Sequence, residues 1–273
     1  MTRSSPDFSS PELLRILTLV SPVAERLRPK GHRLYLVGGV VRDLMLAKPN
    51  LTSAESSMLF HDIDLTTDAR PDVIRRALEP SSSAMWTQGE RFGTIGAQVD
   101  GRDLEVTTHR AEVYDPESRK PVVTFGDDLH TDLSRRDFTI NAMAIDVVDE
   151  VLHDPYGGET DLAEGVLRTP LDPEIAFTDD PLRMLRAARF IPRFNLSVDE
   201  PLRVAVGQLR ERLEIVSSER VHDELERLLA VSHPGAGLEF LSSTGLLTVV
   251  IPGLTGKALE ASELASRPST VLA

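Results

Sequence analysis

Cysteine is absent from this 273-residue chain, which excludes disulfides and every metal site that needs a thiolate. No apolar run approaches the roughly 20 residues needed to span a bilayer. The opening segment, MTRSSPDFSSPELL, has no hydrophobic signal region. A soluble cytoplasmic protein with no membrane partner is the expectation, and nothing in the sequence identifies a protein partner. Positive charge is also scarce: 30 Lys and Arg stand against 43 Asp and Glu, a net charge of −13. Phosphate contacts need cations, so this balance by itself argues against a nucleic-acid partner. The distribution softens that argument. Arg186, Arg189, Arg193, Arg203, Arg210, Arg212 and Arg220 crowd one stretch. Acids interleave with them, and the stretch reads equally as a solvated helical surface or as an RNA-facing stripe.

Against these absences stand two short motifs. In LYLVGGVVRD, Leu34 to Asp43, a hydrophobic strand ends in Gly38-Gly39 and a helix follows over Val40–Leu46. Glycines lack Cβ atoms, so their backbone N–H groups can approach phosphate oxygens, and a helix N-terminus adds a favourable field. In HDIDLTT, His61 to Thr67, Asp62 and Asp64 stand one residue apart. Side chains alternate faces along a strand, so both carboxylates project from one face while Ile63 turns inward. Two converging carboxylates suit hard cations such as Mg²⁺, and paired ions roughly 3.5–4 Å apart can clamp an in-line displacement. Either motif alone is commonly a turn or a solvated strand end; their order is what points to metal-assisted triphosphate chemistry.

Residues 1–10 read as disordered. Pro11 to Arg28 reads as an amphipathic helix with Leu13, Leu14, Leu17, Val20 and Leu27 inward, broken or kinked at Pro22. Strands are expected at 33–37, 62–66, 85–87, 94–99 and 103–107, with Asp100-Gly101 as a hairpin turn. Helices are expected at 71–78 and 127–136, and 141–148 carries mixed helix and strand signals. Lys48 to Phe60 reads as a surface loop or insertion, and Glu112 to Gly126, with its two prolines, as a mobile loop. From Val151 the pattern turns helical, with helices near 181–194, 201–213, 218–230 and 236–245 and a frayed end. His61, His109 and His153 read as local structure rather than as ligands. Phe92, Phe138 and Phe177 read as core rather than as stacking platforms, and Met143, Met184 and Leu185 as packing.

Taken together, LVGGVVRD, DIDLTT, GERFGTIG (89–96), LEVTTHR (104–110), DLSRRDFTINAMA (132–144), HDPYGGETDLAEGVLR (153–168), DDPLRMLRAARF (179–190) and SSERVHDELERLL (217–229) resemble the class II tRNA nucleotidyltransferases. These are the CCA-adding enzymes, with the bacterial poly(A) polymerases as relatives. The resemblance implies an α+β fold: a polymerase β-like nucleotidyltransferase head with a small mixed sheet, followed by an all-helical neck. The segments would be 1–30, an N-terminal segment and helix; 31–150, the head; 151–232, a neck that recognises the base; and 233–273, the start of a helical body and a frayed end. Family members of this type usually continue much further, so a chain of this length is expected to hold head and neck but little of the part that grips tRNA.

The activity implied is addition of CMP and AMP from CTP and ATP to the 3′ end of tRNA, releasing pyrophosphate by a two-metal mechanism. The alternatives are a poly(A) polymerase or A-adding enzyme, and a truncated, non-catalytic nucleotide- or RNA-binding protein. Asp62 and Asp64 would hold Mg²⁺, and Glu105 would be a third catalytic carboxylate or a solvent-facing strand acid. Asp180 and Arg183, at i and i+3, would share a helix face and select the base. A carboxylate accepts from an exocyclic amine and a guanidinium donates to ring acceptors, a pattern matched by cytosine and adenine. An Asp180–Arg183 salt bridge is the plainer reading, and Asp179 stands where the family often has Glu. Gly38, Gly39, Arg136, Asp137, Asn141, Arg186 and Arg189 complete the implied nucleotide-binding set, with Arg42 either contacting substrate or orienting the glycine turn through Asp43; Arg135 is left open. The loop Glu112 to Phe125 matches the one the family needs for adding the terminal A.

Overall fold

The computed structural model describes residues 10–47, 60–113 and 122–251, and the chain divides into two compact units at Thr160/Asp161. Among the described residues no helix is long and apolar enough to cross a membrane.

In the first unit, α1 (Pro11–Leu27) starts where the Ser10 side chain accepts from the Leu13 N–H, with Pro at its first position. It buries Leu13, Ile16, Leu17, Val20, Val23, Ala24 and Leu27. The helix is not broken at Pro22 but continues through it, because an apolar stripe locked into the core outweighs the one hydrogen bond that proline removes. One expectation needs correction here. Leu14 is 46% exposed, since it falls off the 13–16–17–20 stripe.

The strands β1 (Leu34–Val37), β2 (Asp62–Thr67), β3 (Ala84–Trp86), β4 (Thr94–Val99) and β5 (Arg102–Thr108) are joined by α2 (Gly39–Leu46) after β1 and α3 (Pro71–Leu78) after β2. The β4–β5 hairpin turns at Asp100 and Gly101, both at positive φ. The strands β6 (Arg110–Val113) and β7 (Val122–Phe125) pair antiparallel. The expected mobile loop from Glu112 therefore has strand arms; the β-branched run Val122-Val123-Thr124 outweighs the flanking prolines. Its centre, the insertion at 48–59, residues 1–9 and the expected frayed end from residue 256 lie outside the described residues. Phe60, at the edge of that insertion, is buried in the core. After α4 (Leu129–Ser134) come β8 (Ala144–Asp146) and β9 (Leu152–His153). Pairing of β9 with β8 keeps 152–153 in the first unit, so the division falls about ten residues later than the change of pattern at Val151.

The main sheet has the order β3-β4-β5-β2-β1-β8-β9, with β2–β5 parallel and its other pairs antiparallel. Leu36, Ile63, Leu65, Leu104, Ala97 and Ile145 join side chains of α1, α2 and α3 in one apolar core. On the opposite face Tyr35, Val37 and Ala144 pack with Leu133 of α4. Cover on both faces explains why β1 reads as a continuous apolar run.

The second unit is mostly helical: the end of α5 (Gly158–Glu164), α6 (Pro173–Asp179), α7 (Leu182–Phe194), α8 (Glu200–Leu209), α9 (Ser218–Leu229), α10 (Gly235–Ser243) and α11 (Leu246–Val250). It also carries a short parallel pair, β10 (Val166–Leu167) with β11 (Ser197–Val198). Asp172, Asp199 and Ser217 cap α6, α8 and α9 with side-chain oxygens, and Asn195 ends α7 in the left-handed region.

Candidate active site

The parallel pairing of β2 with β5 sets Asp62 opposite Asp103 and Asp64 opposite Glu105. Partners share a face, so four carboxylates form a two-by-two array while Ile63 and Leu104 fill the core beneath. Asp103 was missed by sequence reasoning. Its signal was present: Asp103-Leu104-Glu105 repeats the spacing of Asp62-Ile63-Asp64, but only the register shows that the two motifs meet. Asp62, Asp64 and Glu105 open to solvent. Even so, neighbouring protein displaces water from the Asp64 carboxylate and pushes its pKa up; Arg136 opposes this and Asp62 adds to it. Glu105 is also raised, by burial first and then by the charges of Asp64, Asp62 and Asp103. The ligand atoms of His61, Asp62 and Asp103 lie within 4.8 Å of one another. At Asp64 and Glu105, burial and neighbouring negative charge disfavour the ionised form, a strain that a hard divalent cation relieves, so the array fits such an ion.

Next to Asp64 is the glycine turn. Gly38 adopts φ 74°, ψ −133°, a conformation open to glycine. A Cβ there would lie 2.9 Å from Arg136 Nη1 and 3.8 Å from Asp64 Oδ2. Gly38 thus lets a guanidinium rest against backbone beside the Asp64 carboxylate. Arg136 Nη2 donates to Asp132 Oδ2 at 3.3 Å, while its buried Nε has no hydrogen-bond partner among the described residues. A buried donor of this kind beside a glycine turn fits a phosphate oxygen.

Asp132 organises this corner, although sequence reasoning did not single it out. It is 1% exposed and accepts from Arg135, Arg136, Thr66 Oγ1 and the Arg110 backbone. Burial by itself would raise its pKa; the charges of Arg136 and Arg135, with His109 and the Arg110 N–H, outweigh burial and hold it below the usual range. His109, which donates to or accepts from Thr66 Oγ1 at 2.8 Å, has its pKa lowered by burial.

Asp137 and Asn141, assigned from the sequence to nucleotide contact, lie under the turn, together with Arg42, whose pairing with Asp43 is one of the two roles expected of it. Arg42, Asp137 and Asn141 are 5%, 9% and 6% exposed. Arg42 pairs with Asp43 at 2.8 Å and donates to Asn141 Oδ1, and Asn141 Nδ2 donates to Asp137 Oδ1 at 2.9 Å. Buried polar groups must find partners, and here they find one another, bracing the start of α2.

In the second unit, Asp180 does not share a helix face with Arg183. Pro181 follows it and disfavours helical backbone, so Asp180 is extended (φ −138°, ψ 96°) and precedes α7. Its Oδ1 accepts from the Leu182 N–H at 3.3 Å, and its Oδ2 meets Arg220 Nη2 of α9 at 3.5 Å. Arg183 reaches the Ala176 carbonyl at 3.3 Å. Asp180 and Arg220 form a half-exposed ion pair, with Arg220 supplied by a segment 40 residues further on, which spacing could not reveal. Arg186 lies over the Phe190 ring. Arg189, assigned to nucleotide from the sequence, is buried and ion-paired with buried Glu224 of α9; it ties two helices together.

Residues 34–168 match the family model for the poly A polymerase head domain, and residues 195–257 match a model described as a probable RNA and SrmB-binding site of polymerase A. The CCA-adding enzyme of Lactobacillus delbrueckii subsp. bulgaricus is 34% identical over 253 residues, covering 92% of this chain and 60% of that enzyme. That of Bacillus licheniformis is 38% identical over 237 residues, 86% of this chain and 56% of that enzyme. Among solved structures, the Bacillus stearothermophilus CCA-adding enzyme in complex with CTP aligns with a TM-score of 0.73 at 32% identity, covering 90% of this chain and 55% of that one. The Thermotoga maritima CCA-adding enzyme complexed with tRNA aligns at 0.70 and 26% identity, covering 90% of this chain and 54% of that one. The chain thus spans little more than half the length of these relatives. It belongs to the nucleotidyltransferase family of CCA-adding enzymes and poly(A) polymerases.

Proposed function

We propose that this member of the family adds CMP and AMP to the 3′ end of tRNA, taking them from CTP and ATP and releasing pyrophosphate, in the cytoplasm. The observation that carries the proposal is the array of Asp62, Asp64, Asp103 and Glu105 beside the Gly38–Arg136 corner. Asp62 and Asp64, with Glu105 alongside, would hold Mg²⁺, which would activate the RNA hydroxyl and neutralise developing charge. The glycine turn and Arg136 receive triphosphate oxygens, Arg136 by charge-assisted bonds. The RNA 3′-oxygen bonds to the α-phosphorus, the bond to the β-phosphate's bridging oxygen breaks, pyrophosphate leaves, and the hydroxyl proton passes to solvent.

Base choice rests on the second unit. The Asp180 carboxylate accepts from the exocyclic amine of cytosine or adenine, Arg183 donates to the neighbouring ring acceptor, and Arg220 steers the carboxylate through its ion pair. Arg186 supplies a further cation on the same helix. Arg42, Asp137 and Asn141 shape the turn, and Arg189 holds α7 to α9.

The test is incubation of the chain with tRNA ending before CCA, Mg²⁺ and labelled CTP or ATP. Incorporation of both nucleotides is expected. ATP alone would make it an A-adding enzyme or poly(A) polymerase, and neither would make it a nucleotide- or RNA-binding protein.

A further inference from the structure

The one tryptophan of this chain stands on the carboxylate face. Trp86 pairs with Gly96, Gly96 with Glu105, and Glu105 with Asp64. Cross-strand partners point to the same side of a sheet, so one row runs Trp86, Gly96, Glu105, Asp64. The core lies on the other side, where Met85, Ala97, Leu104 and Ile63 form the adjacent row. Trp86 is therefore not a core residue, and it is half-buried.

Gly96 explains where the indole goes. A Cβ at that position would lie 1.9 Å from the indole Nε1 and 2.1 Å from Cε2. The five-membered ring thus covers Gly96, and any other residue there would push it away. Strands lie about 4.8 Å apart, so a ring over β4 is one strand removed from Glu105.

The direction of the reaction gives the ring a ligand. In-line displacement puts the attacking oxygen and the leaving pyrophosphate on opposite sides of the α-phosphorus. Gly38 and Arg136, which suit the departing phosphates, lie at the β1 end of the array. The attacking 3′-hydroxyl must then arrive over β5, β4 and β3, past Trp86. We infer that Trp86 is a stacking platform for the base of the 3′-terminal nucleotide of the acceptor RNA. Stacking tolerates any base and needs no cation, which suits a growing end of changing sequence and a chain of net charge −13. The inference rests on the reaction proposed above.

Because Trp86 is the one tryptophan, its emission reports the site directly. Titration with tRNA ending before CCA should quench it. CTP alone, or the same tRNA with an abasic 3′-terminal nucleotide, should leave it unchanged at saturation. Trp86→Leu should raise KM for tRNA roughly 5- to 150-fold with KM for CTP within about twofold, and Trp86→Phe should recover most of the loss. Emission that ignores saturating tRNA, or that answers to CTP instead, overturns the platform, as does an unchanged KM for tRNA in Trp86→Leu. If Trp86→Leu does not fold, the titrations of the parent chain decide alone. Failure of the reaction itself reads differently: the parent chain then incorporates no nucleotide, whatever its emission does.

Discussion

Asp64 and Glu105 face each other across the parallel pairing of β2 and β5, and after burial the charge of Asp64 is what most resists ionisation of Glu105. A folded-state pKa raised above its unfolded value contributes stability below the unfolded pKa, and that stability is lost as pH rises through the folded pKa. At neutral pH both carboxylates therefore oppose folding. Asp64→Asn and Glu105→Gln should each melt higher than the parent at pH 8 without divalent cations, with the gap closing toward pH 4. Added Mg²⁺ should raise the parent selectively. Melting curves at the two pH values check this; a gap that widens on acidification contradicts it.

Asp62→Ala removes a carboxylate from the array without touching the core. Incorporation should fall by about 10³-fold or more, with an unchanged circular dichroism spectrum. A mutant within tenfold of the parent would move the metal elsewhere, with His61 and Asp103 the next ligands to test.

Asp132 gathers two arginines in a buried corner and has its pKa lowered, so its contribution is present above the unfolded pKa and fades as pH falls through the folded value. Asp132→Asn should cost about 3 kcal/mol at pH 7 and less at acidic pH, as read by denaturant unfolding. The same mutant should weaken CTP binding, since Arg136 loses its anchor.

Asp180→Ala should relax base choice before it destroys activity, reducing discrimination against GTP and UTP about tenfold. Arg220→Gln should do so partially, because Arg220 holds the Asp180 carboxylate. Competition between the four nucleotides measures both, and unchanged discrimination in Asp180→Ala would count against the base-selecting role.

Arg189 and Glu224 are a buried pair. Glu224→Leu alone should destabilise by about 3–5 kcal/mol, while the double change Arg189→Met with Glu224→Leu should recover most of that. KM for CTP should stay within about twofold in the double variant. A folded variant with strongly weakened CTP binding would return Arg189 to the nucleotide.

The differences between sequence and structure follow a pattern. Leu34–Val37, Asp62–Thr67, Thr94–Val99 and the helices between Leu182 and Ser243 were legible because period-2 and period-3.6 patterns are local. Asp62 and Asp64 were legible as a pair for the same reason. Arg42, Asp137 and Asn141 were legible as polar residues in informative motifs, but motifs do not say which polar residues are buried. The structure turned them beneath the glycine turn, 99 residues of sequence separating Arg42 from Asn141. Asp180 illustrates the reverse: helical spacing suggested a shared face with Arg183, and the local chemistry of Pro181 had already denied it.

The sequence by itself determined the strands of the carboxylate motifs, the long helices of the second unit, the Gly38-Gly39 turn, the two carboxylates on one strand face and the family, because all of these are written in contiguous residues. Tertiary structure alone decided that a second carboxylate pair stands beside the first, that Arg136 rather than Arg42 faces Asp64, and that the tryptophan lies over Gly96 next to Glu105. Those facts depend on which strands pair and in what register. Pairing is fixed by burial of Ile63, Leu104 and Ala97 in a common core, a condition on the whole unit that no single segment carries.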